Sequence, residues 1–389
     1  MVMALVWLVG VSMALTACGV FERRARVVPR LDRPELAPPR ARWGSGLEAP
    51  PVRAISARAL AGWARLIRSR NVVSDQRPGL FLLGRIGACG SSAVGLAMIP
   101  FAGTWGGGMA DPPLVLLDLR HGLAAIGLLL LVTSLSRVAV GLSERSAWSR
   151  LASVRQASRS IAALALVLLV VSPLAISSGT LRLHEIVLDQ RGRMALPDWL
   201  LTSLDGSIFE WLDMLSVPSW NIFVQPLTAL LFVPAMTLLI GNSRIDDPTT
   251  GAVGLAGVGI DADPIDRYWM TLDARLSTLL IAALFVTFFL GASSIPFIEV
   301  SGLSARLEPF VGNALPTLLV AGLQVASFLA KWLLVLAIVA RGKRSAAGTR
   351  EDRTLRMATR RLLPLAWANL LLVAAWTVWV RGFESGGAG

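Results

Sequence analysis

Apolar runs long enough to cross a lipid bilayer recur along this chain, and they constrain its fold more than any motif does. A spanning helix needs about 20 mostly apolar residues. Eight stretches qualify, at roughly 1–20, 80–104, 121–143, 160–178, 222–241, 276–297, 314–340 and 361–380. Inside hydrocarbon the backbone N–H and C=O groups have no water to pair with, and a helix satisfies them within its own segment. The expected fold class is therefore an all-α integral membrane protein of about eight transmembrane helices, a single polytopic membrane domain over residues 1–389. Composition agrees: 54% of residues are hydrophobic and only 16% charged, and the mean hydropathy of +0.63 is too apolar for an ordinary soluble domain. The second stretch is interrupted by Gly84, Gly87, Gly90 and Gly95, which membrane helices tolerate better than soluble ones.

A net charge of +12 suits either nucleic-acid binding or a polytopic protein with basic inner loops, and the placement of the arginines separates the two. The first connection carries thirteen arginines between Arg23 and Arg77, and the third carries Arg145, Arg150, Arg155 and Arg159. The seventh runs from Arg341 and Lys343 to Arg360 and Arg361, whereas the fourth sets Arg182, Arg191 and Arg193 against six acids. This asymmetry predicts cytoplasmic loops at about 21–78, 144–159, 242–275 and 341–360, with both termini outward. It makes the chain a multi-pass membrane protein, in contact with lipid and not with nucleic acid, and the expected location is a bacterial-type inner (plasma) membrane. The same charge order bears on Cys18, whose Leu15-Thr16-Ala17-Cys18 setting resembles a lipid-modified secretory signal. Positive charge follows that apolar run rather than preceding it, which favours a retained first helix with Cys18 as a small interface residue.

Within the first connection, residues 53–70 intersperse Ile55, Leu60, Trp63, Leu66 and Ile67 with Arg53, Arg58, Arg65, Arg68 and Arg70. At helical spacing this is a basic amphipathic surface helix. It serves either as a headgroup anchor or as the rim of a portal for a lipid-soluble substrate. Two cysteines, Cys18 and Cys89, and two histidines, His121 and His184, cannot assemble a zinc or iron–sulfur centre, and no cofactor is expected to be held by this chain. His184 reads as an exposed residue of an outward loop and His121 as interfacial. No nucleophile–base pair or phosphate loop appears. Intramembrane charges are few: Arg85, Arg137, Glu299 and Lys331, all but the last near span ends. That scarcity disfavours an independent transporter.

The remaining motifs are short, and their order along the chain is what carries information. Glu22-Arg23-Arg24 closes the first apolar run, Ile99-Pro100-Phe101 falls within the second, and Asp118 to Leu123 opens the third. This order resembles the quinone-chamber membrane subunit family of NADH-quinone oxidoreductase, respiratory complex I, which related membrane-bound hydrogenases share. There the three motifs read E-R-[RK], I-P-F and D-L-x-x-G-L. Ser136, Gly141 and Arg155 fall in the family's third-connection loop. Ser178 to Gln190 is similar to G-S-L-x-x-x-x-I-V-x-x-Q, and Gln225-Pro226-Leu227 to Q-P-L. Arg350, Asp352, Arg360 and Leu362 to Ala366 are similar to the R-x-D-Q-L-M and K-x-L-L-P-L-A region.

The resemblance implies a membrane subunit that forms an apolar chamber for a quinone substrate and docks a soluble iron–sulfur-bearing subunit, beside other membrane subunits. The chamber candidates it implies are Glu22, Arg23, Arg24, Trp63, Arg244, Asp261 and Asp263. Departures are equally specific. Leu164 and Gly241 stand where the family has membrane-embedded glutamates, and neither can exchange a proton as a carboxylate of raised pKa can. Gly62 and Arg70 replace acids of the first connection. A degenerate paralogue with a structural or assembly role, lacking quinone and proton coupling, is the other expectation.

Overall fold

The computed structural model describes residues 78–103, 114–144, 146–191, 218–240, 264–295, 314–346 and 355–386. Its helices, in chain order, are α1 (Pro78–Ala97), α2 (Gly122–Ser143), α3 (Ala147–Ser178), α4 (Leu183–Asp189), α5 (Asn221–Val224), α6 (Pro226–Ile240), α7 (Pro264–Phe289), α8 (Ala314–Ala346) and α9 (Leu363–Gly386). A π-helical stretch, Ala358–Leu362, leads into α9. No β-strand occurs among the described residues. Three helices open on proline, at Pro78, Pro226 and Pro264, where the missing N–H is one the helix would not have used.

Among the described residues six helices are long and apolar enough to cross a membrane: α1, α2, α3, α7, α8 and the one that includes α9. The first expected span, at 1–20, and the amphipathic segment at 53–70 lie outside the described residues. The stretch expected at 222–241 is realised differently, as the single turn α5 followed by the 15-residue α6. The break falls at Gln225 because Pro226 follows it, and a residue before proline is driven out of the α region; Gln225 has φ −131° and ψ 64°. At about 1.5 Å per residue α6 reaches roughly 22 Å, short of a ~30 Å hydrocarbon core.

Other boundaries move in both directions. α1 ends at Ala97, before the 104 expected, because Pro100 cannot continue it. α7 ends at Phe289 rather than near 297, and Gly291 and Ala292 turn the chain away at φ 65° and 45°. α3 starts at Ala147 and α7 at Pro264, so much of the connection expected at 144–159, and the end of that at 242–275, is helix. Hydropathy marks the part of a helix that sits in hydrocarbon, not the helix itself.

α7 is central, packing against α1, α6 and α8, while α3 packs against α2, α6 and α9. Phe232 of α6 meets Phe285, Phe288 and Phe289 of α7 at 5.3–6.0 Å between ring centroids. Trp332 of α8 is fully buried and donates its indole N–H to the Leu279 carbonyl at 3.1 Å.

α1 and α2 cross closely, and the glycines of α1 explain it. A Cβ on Gly84 would lie 2.8 Å from both the Ser136 carbonyl oxygen and Val140 Cγ2, and one on Gly87 would strike the Ser136 hydroxyl. A Cβ on Gly90 would meet nothing within 4 Å. Gly84→Ala is therefore expected to destabilise the protein by about 2 kcal/mol through overpacking. Gly90→Ala should be neutral or mildly stabilising, because alanine is the better helix former. Thermal denaturation of both variants in one detergent checks this, and equal shifts would refute the close approach.

Candidate functional site

All seven chamber candidates, Glu22, Arg23, Arg24, Trp63, Arg244, Asp261 and Asp263, lie outside the described residues, as do Gly241 and Glu299. Of the residues singled out from sequence, the structure places Arg85, Arg137, Lys331, His121, His184, Cys89 and Leu164. Leu164 sits in the apolar core of α3, 8% exposed.

The first polar centre joins α1, α2, α6 and α7 at one end of the bundle. Arg137 of α2 holds Asp273 of α7 in a bidentate pair, Nε to Oδ2 at 2.7 Å and Nη2 to Oδ1 at 3.1 Å. Its Nη1 donates to the Leu239 carbonyl at the end of α6, 3.3 Å away, and Nη2 also reaches Ser277 Oγ. Ser277 in turn bonds Asp273 and, at 3.2 Å, Ser92 of α1. Cys89 lies alongside, its Sγ 3.9 Å from the Trp269 carbonyl. One turn earlier Arg85, 6% exposed, sets its guanidinium 3.6 Å over the Phe81 ring.

In sequence Arg137 is legible as an intramembrane charge, but its partner is not. Asp273 falls in an expected connection, and only the early start of α7 places it inside a helix. The signal that could find it is an opposite charge at matching depth on two spans. The pair occupies both carboxylate oxygens and ties three helices together. It forms a clamp, not an open acceptor.

The second centre closes the other end of α7. The last carbonyls of a helix have no intrahelical partner, and here several are taken by different segments. Gln190, just after α4, donates to the Thr287 carbonyl at 3.0 Å and accepts from the Gly291 N–H at 2.9 Å. Asn221 of α5 donates to the Phe288 carbonyl at 2.9 Å. Lys331 of α8 donates to the carbonyls of Leu290, Ala292 and Ser294 at 2.7, 3.2 and 2.6 Å. The ammonium also lies 4.2 Å above the Trp220 ring, whose N–H bonds Ser294 Oγ. Gly291 is required twice over, by its positive φ and because a Cβ would sit 2.7 Å from the Trp220 indole nitrogen.

A third tie crosses the bundle: Gln225 donates to Ser177 Oγ of α3 at 2.9 Å and accepts from Thr228 at 3.2 Å. Asn369 of α9, 3% exposed, donates to Thr228 at 2.9 Å. Two glutamines of the sequence motifs, Gln190 and Gln225, thus have bridging roles.

His184 corrects an expectation. It is buried at 9% exposure on α4, not solvent-facing. Burial, with the Arg191 charge, holds its pKa below the usual imidazole value against the opposing pull of Asp118 and Glu185. Burial also raises Asp189, helped by Glu185, and lowers Arg191. His121 is exposed immediately before α2. Among the described residues no three His, Cys, Asp or Glu side chains are grouped to hold a metal ion.

No curated protein matches the chain. The family model described as NADH dehydrogenase matches residues 56–374, which takes in every helix described above except the last turns of α9. With a bundle of apolar, membrane-length helices tied by buried polar side chains, this chain belongs to the NADH dehydrogenase family, as a membrane subunit of an NADH dehydrogenase-type complex.

Proposed function

We propose that the chain is a divergent membrane subunit of an NADH-quinone oxidoreductase-type complex, that it supplies the apolar chamber for the quinone tail, and that its cytoplasmic rim docks the peripheral redox arm. The observation that carries this reading is the family match over residues 56–374, which runs through Trp63, Arg244, Asp261 and Asp263. An isoprenoid tail needs a continuous apolar slot more than any particular side chain, so this role can persist where embedded acids have been lost. The chamber mouth is assigned to Glu22, Arg23 and Arg24, the segment around Trp63, and the loop with Arg244, Asp261 and Asp263. An arginine there can donate hydrogen bonds to a quinone carbonyl and stabilise its reduced anion. Redox centres belong to partner subunits, and the chain alone carries no cofactor. The membrane is assigned as a bacterial-type plasma membrane.

One observation favours the second reading, a structural or assembly paralogue without quinone or proton coupling. Leu164, at the position of a family glutamate, is embedded in the apolar core. The two readings part on charge removal. In the assembled complex, Arg23→Gln combined with Arg244→Gln is expected to leave assembly intact and lower quinone turnover roughly tenfold or more, the value of a lost charge-assisted hydrogen bond. Unchanged turnover at normal assembly would instead establish the structural role.

A further inference from the structure

His184 carries a buried polar atom that nothing in the fold uses. Its Nδ1 is enclosed and makes no hydrogen bond, and the residue as a whole is 9% exposed. A neutral imidazole can leave one nitrogen there as a bare acceptor. The charged form carries a proton on both nitrogens, so Nδ1 would become a donor with no acceptor in an enclosed site.

The charges around it come from two segments. Arg191, just beyond α4, disfavours the imidazolium most among them; Arg182 acts in the same sense, and Asp118 and Glu185 act against both. Those two carboxylates are also engaged by Arg182, at 3.8 and 3.3 Å. α3 and α7 pack against α4, and neither α3 after Arg159 nor α7 after Arg275 has an ionisable side chain. Arg120 and His121, before α2, are exposed. The surroundings suit a neutral histidine.

α4 is also where a new charge would be felt mechanically. Seven residues are too few to hold a helix in isolation, so α4 keeps its place through tertiary contacts. Leu183, Ile186 and Val187 are buried, and the Leu181 carbonyl accepts from the Leu123 N–H at 2.9 Å. Gln190, directly before Arg191, binds the end of α7 through Thr287 and Gly291. Displacing α4 therefore takes Gln190 off α7.

We propose that His184 makes α4 a pH-sensitive latch on the end of α7: neutral histidine lets α4 seat with Gln190 on Thr287 and Gly291, and protonated histidine unseats it. The sign follows from burial, which with Arg191 holds the seated imidazole below its ordinary value of 6.5. The seated form has its full stability above that value and loses it as pH falls, until the seated histidine is itself protonated. Asp189 works in the opposite direction, because burial and Glu185 raise its carboxyl and acid removes that charge from the seated form. The latch stands whether or not the chain handles quinone.

Hydrogen–deuterium exchange of the full chain in one detergent tests it. Between about pH 8 and about pH 5, residues 183–191 and 287–291 are expected to lose roughly fivefold or more of their protection relative to free peptide, while α7 before Thr287 keeps its own. His184→Gln, uncharged throughout, should abolish that loss. With Asp189 still titrating, its protection should hold or rise in acid. If this variant fails to fold, NMR of the histidine-labelled wild type decides, since His121 is the only other histidine and His121→Gln identifies its signal. His184 must then titrate below the ordinary imidazole value, with protection levelling off at the pH where it does. Wild-type protection independent of pH would overturn the latch, as would a His184 signal titrating at or above the ordinary value. The same acid loss in His184→Gln would overturn it in favour of the carboxylates, and loss spread along the whole of α7 in favour of general unfolding.

Discussion

Asp273→Ala is expected to lower the stability of the folded bundle by about 3–5 kcal/mol, more than loss of any other single contact described above. The substitution leaves the Arg137 guanidinium, only 15% exposed, among α1, α2, α6 and α7 with its two short carboxylate contacts gone. What remains to it are the Leu239 carbonyl and Ser277, which carry no opposing charge. Replacing both partners by leucine removes the stranded charge along with the pair. Because a buried ion pair gains little over apolar side chains of similar size, the double variant should recover most of the lost stability. Thermal denaturation of the wild type, Asp273→Ala and Arg137→Leu/Asp273→Leu proteins in one detergent separates these states. A single variant as stable as the wild type would show that the clamp carries no weight. A double variant as weak as the single one would show instead that the polar contacts to Leu239 and Ser277 are what matter.

Lys331→Met should cost about 3 kcal/mol, with the damage confined to one end of α7. The thioether keeps much of the volume of the lysine stem but donates nothing, so the carbonyls of Leu290, Ala292 and Ser294 lose their shared donor. The contact with the Trp220 ring is lost at the same time. Ala292 holds a left-handed φ of 45°, an unfavourable conformation for a residue with a side chain, and it persists here under the lysine. Releasing that constraint is expected to speed amide exchange over residues 290–294 well before the rest of α7 responds. Lys331→Gln, which still donates through its amide, should fall between the two. Uniform acceleration along the whole helix would mean that Lys331 supports the bundle generally and does not cap this end.

How far a site is legible in sequence differs between these two centres. Lys331 stands out as a charge in the middle of an apolar run, but the groups it serves are backbone carbonyls, which look alike in every sequence. Arg137 also stands out, whereas Asp273 does not, because it precedes the apolar stretch that hydropathy marks. The glycines of α1 are visible as interruptions, yet nothing in their spacing distinguishes Gly84, which is pressed against Ser136, from Gly90, which faces open space. The burial of His184 is hidden for a related reason: a polar loop between spans reads as solvent-facing, while a short helix there folds back onto the bundle and covers it.

By itself the sequence determined the all-helical class, the six apolar membrane-length helices found among the described residues, and the family, since these follow from runs of side chains that hydrocarbon accepts and from motifs that keep their order along the chain. Tertiary structure alone decided which helices touch, where each ends beyond its apolar stretch, and which polar groups meet inside. The physical reason is that transfer into lipid depends on residues summed along one segment, whereas a hydrogen bond or an ion pair depends on atoms brought within about 3 Å from segments distant in sequence. Arg137 and Asp273 are 136 residues apart, and Gln190 and Gly291 are 101 apart. Only the folded bundle sets those distances.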